Sequence, residues 1–277
     1  MSLLAAMLRS GEGAAGLAFL ALFVAAALAA PVIYPGDPLA IGGPPLVQPF
    51  ADAAHPLGTD RLGRDVAAGL AHGTRTSLIV AVAAAAAALS LGTVVGTLAG
   101  FLGGVADEVL MRITEAFQTV PGFLLALAFI SVTGPSVSTI VIAIALGSWT
   151  QPARIARAEV LSLRERDFVA AARVIGMRPM EVAFREILPN ALTPLVSLAA
   201  VIVAAAVLIE AALSFLGLGD PDLARPEWGA MLSNAQAFLS IRPELAVYPA
   251  LCIIVVALGF TLLGESLREA LDPKGNR

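Results

Sequence analysis

Six apolar stretches dominate the sequence, near residues 14–33, 77–102, 109–132, 137–151, 191–215 and 246–264. A helix rises about 1.5 Å per residue, so roughly 20 residues cross the ~30 Å hydrocarbon core of a bilayer. The predicted fold class is therefore all-α, a polytopic membrane protein with six transmembrane helices. Composition agrees, because 58% of the 277 residues are hydrophobic, 14% are charged and mean hydropathy is +0.87, which excludes a water-soluble globule. The fourth stretch is short for a crossing, so it either continues past Pro152 as a tilted helix or meets a locally thinned bilayer. The first exceeds the usual signal-peptide core of about 7 to 15 residues and reads as a span, although Arg9 and the small residues of "ALAAP" would also suit a leader.

Several function classes fall away on residue counts. A net charge of −4, with no basic cluster, gives nucleic acid nothing to bind. One cysteine, Cys252, and two histidines, His55 and His72, are too few for a disulfide, a Cys/His metal site or a Cys-His nucleophile. The sole lysine, Lys274, follows Pro273 rather than a glycine-rich turn, so no P-loop is present, and neither GxSxG nor HExxH occurs. The chain is expected to be no enzyme and to bind no cofactor. A secondary transporter is the alternative, and it would often show inverted repeats and charges deep in its spans.

Lys and Arg bias loops toward the cytoplasm. With the N-terminus inside, one side carries 12 of the 17 basic residues, among them the seven arginines from Arg154 to Arg185, and the other side carries five. Both termini are thus expected in the cytoplasm, with a cytoplasmic loop of nearly forty residues, 153–190, between spans four and five. That loop is long for a connector. Within it, "DFVAAARVIGMRPMEVAFREILPNAL" predicts two short helices. Asp167 is placed to cap the first, whose apolar residues are Phe168, Ala171, Ala172 and Ile175. Gly176 permits the left-handed backbone that ends it. Pro179 suits the first position of the second helix, and Glu181 and Arg185 form an i,i+4 pair. Met180, Ala183, Phe184, Ile187 and Leu188 make its apolar stripe, and Pro189 is expected to close it. Helices this short need a surface to pack on. That surface is either the chain's own helix ends or a groove on a partner.

"AAARVIG", thirteen further residues to Pro189, and "ILPN" resemble the cytoplasmic EAA loop of ABC-importer permeases. "HPLGTDRLGRDV", "EAALSFLGLG", "WGAML" and "LLGESLREALDPK" follow in the order of the C-type permease subunit of dipeptide, oligopeptide and nickel importers, and the likeness covers most of the chain. The resemblance implies a type I ABC importer permease fold in the bacterial inner membrane, moving peptides, a related small solute or a nickel chelate. It implies a second permease, two ATPase subunits carrying ATP and Mg, and an extracytoplasmic substrate-binding protein as partners. The loop residues implied to dock on the ATPase are Asp167, Phe168, Ala170, Ala171 and Ala172, the turn at Gly176 and Met177, then Pro179, Phe184, Ile187, Leu188 and Pro189. At the position of the family's glutamate stands Ala170, which removes any carboxylate contact there. Counted from an Asp167 cap, it also removes a capping-box partner.

Gly92, Gly96, Gly100 and Gly104 recur at four-residue spacing in the second span, a small-residue stripe for close helix packing within the chain or with a second permease. Glu210 falls near the outer boundary of the fifth span, where capping or pairing competes with a place on the path, and Glu115 has the same two readings. Ser214, with Ser77, Thr93, Thr97, Thr119 and Ser131, either lines a polar path or bonds its own helix. Asp60 is expected to cap a short surface helix through Leu62, Val66 and Leu70, and 226–238 reads as a second one. In domain terms, 1–76 hold the N-terminal helix, first span and extracytoplasmic segment, 77–264 the five-span core with its loop 153–190, and 265–277 a cytoplasmic tail.

Overall fold

The computed structural model describes residues 7–8, 10–221 and 226–271, and these form an all-helical bundle whose only β features are three isolated bridges. The predicted contributions of Arg9, Arg225, Lys274 and Arg277 lie outside the described residues, as does most of the tail. Helix α1 is Gly11–Ile33, α2 Val66–Leu102, α3 Gly104–Gln118, α4 Gly122–Thr133, α5 Val137–Ser148, α6 Thr150–Leu163 and α7 Asp167–Val174. Then come α8, Pro179–Phe215, α9, Trp228–Ala235, and α10, Glu244–Leu271.

Four of these helices, α1, α2, α8 and α10, are long and apolar enough to cross a membrane, and a fifth span arises if α3 and α4 are taken together. The count of six is thus not reproduced among the described residues. The expected third span, 109–132, is broken instead, with α3 and α4 bent by 84°. Pro121 supplies the cause, since it has no N–H and drives the residue before it out of the helical region. The fourth stretch does run on past Pro152. Trp149 keeps helical angles, donates to the Ala145 carbonyl at 3.0 Å and accepts from Ala153 at 3.2 Å, joining α5 to α6.

Small residues set the helix spacing. A Cβ on Gly92 would collide with the Trp149 carbonyl, one on Gly96 with the Ala153 carbonyl, and one on Gly100 would lie 2.9 Å from the Arg157 carbonyl. The glycine stripe therefore receives α5–α6 of the same chain. Gly104 is not part of it. It follows Gly103 (φ +66°) in the turn that starts α3, has φ +53°, and faces no atom within 4 Å. Beyond the stripe, Asp107 grips Arg157 through two bonds of 2.5 and 2.6 Å, fixing the start of α3 against α6.

At the opposite end, residues 34–65, 216–221 and 226–245 form a cap. The expected surface helix starting at Asp60 is absent. Asp60 instead closes a turn by accepting from Leu62 and Arg64, and Asp65 caps the helix by accepting from Ala68 at 3.0 Å. Val66 and Leu70 are consequently the first turns of the 37-residue α2, which crosses the expected 76/77 boundary. Trp228 of α9 is fully buried, donates to the Leu70 carbonyl at 3.1 Å and stacks edge-on against Phe23.

His55 and Asp65 meet at 3.0 Å within this cap, and that bond holds the imidazole above its ordinary value near 6.5 despite its burial. A raised folded-state pKa means the contact contributes fully below about pH 6.5 and is lost as pH rises through the higher folded value. Amide protection at Gly58, Thr59 and Val66, corrected for intrinsic exchange, is therefore expected to be greater at pH 6 than at pH 8. In His55→Gln that gradient should vanish, and an unchanged gradient in the variant would refute the assignment.

Candidate functional site

The 153–190 loop folds as the end of α6, the short α7 and the first turns of the long α8, around a small core of its own. The expected second short helix is instead the start of α8. Val160, Val169, Ala172, Val182, Ile187 and Ala191 are buried together, with Phe101, Leu163 and Met177 packed against them. Burying those six side chains is what steadies α7, which is too short to persist alone in water. The reading that the loop packs on the chain's own helix ends thus holds for one of its faces.

Three local expectations are corrected. The first helix is capped at Arg166, which is extended (φ −81°, ψ 153°) and whose carbonyl accepts from Val169 and Ala170, so Asp167 occupies the first helical position without a side-chain cap bond. A carboxylate there still faces the positive end of the helix dipole. The third helical position is then the buried Val169, so Ala170 never stood where a capping box could form. Nor does Pro189 close the second helix. Residues Val182–Ile187 make a π turn, with Leu188 donating to the Ala183 carbonyl, and the α-helix restarts at Leu188. Pro189 falls in that restarted first turn, where its missing N–H costs little. The extra residue of the π turn also rotates the apolar face. Val182, Ala183 and Ile187 are buried, Phe184 and Leu188 half-buried, and Met180 exposed. The Arg185–Glu181 pair forms at 2.6 Å and Pro179 opens its helix as expected.

The other face of the loop is open. Gly176 has φ +87° and no atom within 4 Å of where a Cβ would sit. Directly before it, Val174 is 87% and Ile175 78% exposed, and Phe168 and Met180 are exposed nearby. Asp167, Ala170, Ala171 and Pro179 are exposed too, whereas Ala172 is buried and Met177 half-buried. Val174 was missed in the sequence because its helical position did not fit the stripe through Phe168 and Ala172. Two open cavities of about 700 and 620 Å³ lie against α6, one lined by Gln118, Gln151 and Arg154, the other by Glu159, Asn190 and Ser197.

The remaining polar candidates separate. Glu115 is exposed and pairs with Arg112 at 3.0 Å. Ser131 and Thr119 bond carbonyls of their own helices. Glu210 is fully buried, with Ser77 donating to Oε2 at 3.0 Å and Oε1 without a partner among the described residues. Ser214 donates to Glu227, whose other oxygen accepts from the Asp220 amide at 2.9 Å. Burial holds the Glu227 carboxyl above the usual carboxylate range, against the lowering effect of those two bonds. Glu227 was not singled out from sequence, where it is one charge beside a proline.

A family model described as binding-protein-dependent transport system inner membrane component matches residues 92–277. The chain belongs to this family. The glutathione transport system permease protein GsiD of Pectobacterium atrosepticum is 37% identical over 262 residues, covering 94% of this chain and 86% of the relative. The probable peptide ABC transporter permease protein y4tQ of Sinorhizobium fredii is 40% identical, with 91% and 85% covered. The di/tripeptide transport system permease protein DppC of Pseudomonas aeruginosa is 38% identical, with 94% and 87% covered. An inward-facing structure of the MetNI methionine ABC transporter matches at a TM-score of 0.58 and 19% identity, covering 73% of this chain and 96% of that one, which shows a shared fold. The protein is thus a permease subunit of the ABC importer class and a multi-pass inner membrane component, with the type I importer permease fold that its sequence motifs implied.

Proposed function

We propose that this permease carries peptides or a closely related small solute inward, receiving them from an extracytoplasmic binding protein and drawing energy from two separate ATPase subunits. A second permease completes the path, ATP and Mg belong to the ATPases, and this chain binds no cofactor. The observation that carries the reading is the split character of the 153–190 loop. One face is locked into the chain's own core, while Val174 and Ile175 project at a glycine turn with nothing among the described residues to cover them. Relatives of matching length named for glutathione and peptide transport support the solute class. The excess of basic residues on the loop side supports cytoplasmic placement of the loop and both termini.

Reconstituted with its partners in liposomes, the complex is expected to accumulate a binding-protein-delivered dipeptide only with ATP, while the purified chain alone binds no ATP. Uptake by this chain alone on an ion gradient would replace the reading with secondary transport. In right-side-out vesicles a cysteine at Asp52 should react with an impermeant thiol reagent and one at Met177 should not, and labelling at Met177 would invert the topology.

A further inference from the structure

A cavity of about 170 Å³ lies under the cap, between the turn at Asp60–Arg64, the start of α2, helix α9 and the lead into α10. Arg64 lines it. Among the described residues the Arg64 side chain makes no hydrogen bond or ion pair, and its Nε is buried without a partner. Native proteins seldom leave such a donor unmade, so it calls for an explanation. The backbone around it is fixed. Arg64 N–H donates to Asp60 Oδ1 at 2.9 Å, its carbonyl accepts from Asp60 at 2.9 Å, and it bridges to Ile41. Gly63 precedes it at φ +79°, where a Cβ would strike the Gly43 carbonyl. The backbone of Arg64 is therefore held without spending any donor of its guanidinium.

Four carboxylates, Asp60, Asp65, Asp220 and Glu227, line the cavity with Arg64, and two of them have both oxygens committed. Asp65 accepts from Ala68 and His55, and Glu227 from Ser214 and the Asp220 amide. Arg61, by contrast with Arg64, reaches Asn234 at 3.3 Å, and Arg242 reaches Glu244 at 3.4 Å. Asp60 uses Oδ1 for two amides and leaves Oδ2 unused. Met231, Phe238 and Leu245 give the cavity an apolar part of its lining. An Arg fork beside an apolar wall matches a carboxylate and a hydrocarbon group on the same small molecule, since guanidinium pairs carboxylate through two parallel bonds. Volume narrows the choice, because a cavity of about 150 Å³ takes a benzene-sized group. One aliphatic residue fits inside, and the rest of a longer ligand must extend from the open side.

We infer that this cavity is a binding site for the C-terminal residue of a peptide, with its carboxylate on Arg64, its side chain against Met231, Phe238 and Leu245, and its amide N–H toward Asp60 Oδ2. The inference rests on the peptide reading of the permease and adds to it a station on the permease itself for substrate leaving the binding protein. An inorganic anion would leave the apolar wall unmatched, and an amine without a carboxylate would leave Arg64 unpaired.

The test is equilibrium binding of tritiated alanyl-leucine, and of its C-terminal amide, to the assembled transporter in nanodiscs without binding protein. Wild type is expected to bind the acid saturably and the amide at least tenfold more weakly. In Arg64→Gln the two should bind alike, Arg64→Lys should restore part of the preference, and Ala230→Phe, which fills the cavity and leaves Arg64 in place, should abolish binding. Recovery of each variant as an assembled complex separates loss of a site from loss of fold. Absence of saturable binding to wild type, the result if Arg64 is satisfied by water alone, would overturn the inference, as would an acid-to-amide ratio unchanged by Arg64→Gln. Uptake with the binding protein distinguishes the two proposals. Normal dipeptide uptake with no binding to the permease removes the site and leaves the function, whereas saturable, Arg64-dependent binding without dipeptide uptake removes the function and leaves the site.

Discussion

Ile175→Arg is expected to strip the permease of the ATPase subunits proposed to dock there while leaving its own fold intact. Ile175 is 78% exposed and Val174 87%, so this chain forfeits almost no packing when either becomes charged. Covered by a partner groove, each would contribute about 1.5 to 3 kcal/mol before the costs of association. A guanidinium buried there without a counter-charge adds a penalty of its own. Loss of one such side chain alone weakens the contact by at least tenfold, since about 1.4 kcal/mol is a factor of ten. The expected result is normal insertion, normal pairing with the second permease, no co-purifying ATPase and no uptake. Gly176→Ala separates the backbone from the surface. A Cβ there meets nothing within 4 Å, but φ is +87°, so only strain of roughly 1 kcal/mol applies and docking should weaken far less. Full uptake and undiminished co-purification in Ile175→Arg would remove the coupling role of this loop.

Legibility of this fold from sequence followed the range of the forces involved. Apolar runs report the solvent each segment meets, and the all-α membrane class came directly from them. Gly176 and Pro179 have conformational demands that nearly any context honours, and both stand where expected. Pro189 misled because the π turn at Val182–Ile187 is a property of how α8 packs on its neighbours, and no local propensity encodes it. Asp167 misled by one residue because a carboxylate is favourable both as a cap and at the first helical position, leaving the choice to the extended backbone of Arg166. The break at Pro121 was written in the sequence, yet hydropathy averaged across it outweighed the missing N–H. Arg64 and Glu227 were invisible as site residues for a different reason. Their significance lies in what their side chains do or do not bond once buried, and only the assembled cap shows that.

The glycine stripe makes the largest demand on packing, and Gly96→Leu is expected to be the most damaging single change in the helices. A Cβ at that position would run into the Ala153 carbonyl and lie 2.8 Å from the Ala156 Cβ, and neither a carbonyl nor a helical Cβ can swing aside. The two helices must separate instead, which unpacks the long contact of α2 with α6 from Trp149 to Val160. Overpacking in a close-packed interior costs about 1 to 3 kcal/mol even for small insertions. In lipid, where close packing rather than hydrophobicity holds helices together, no other term compensates. Gly96→Leu should therefore fail to accumulate in the membrane. Gly96→Ala should survive with a lowered midpoint of thermal unfolding in detergent, and Gly100→Ala, whose nearest contact is 2.9 Å, should be lowered less. Gly104→Ala meets no neighbour and pays only the strain of φ +53°, so its midpoint should stay nearest to wild type. The order Gly96, Gly100, Gly104 follows contact distance, with backbone strain as the only cost at Gly104, and a Gly104→Ala midpoint below that of Gly96→Ala would show that the stripe is not what sets the distance between α2 and α6.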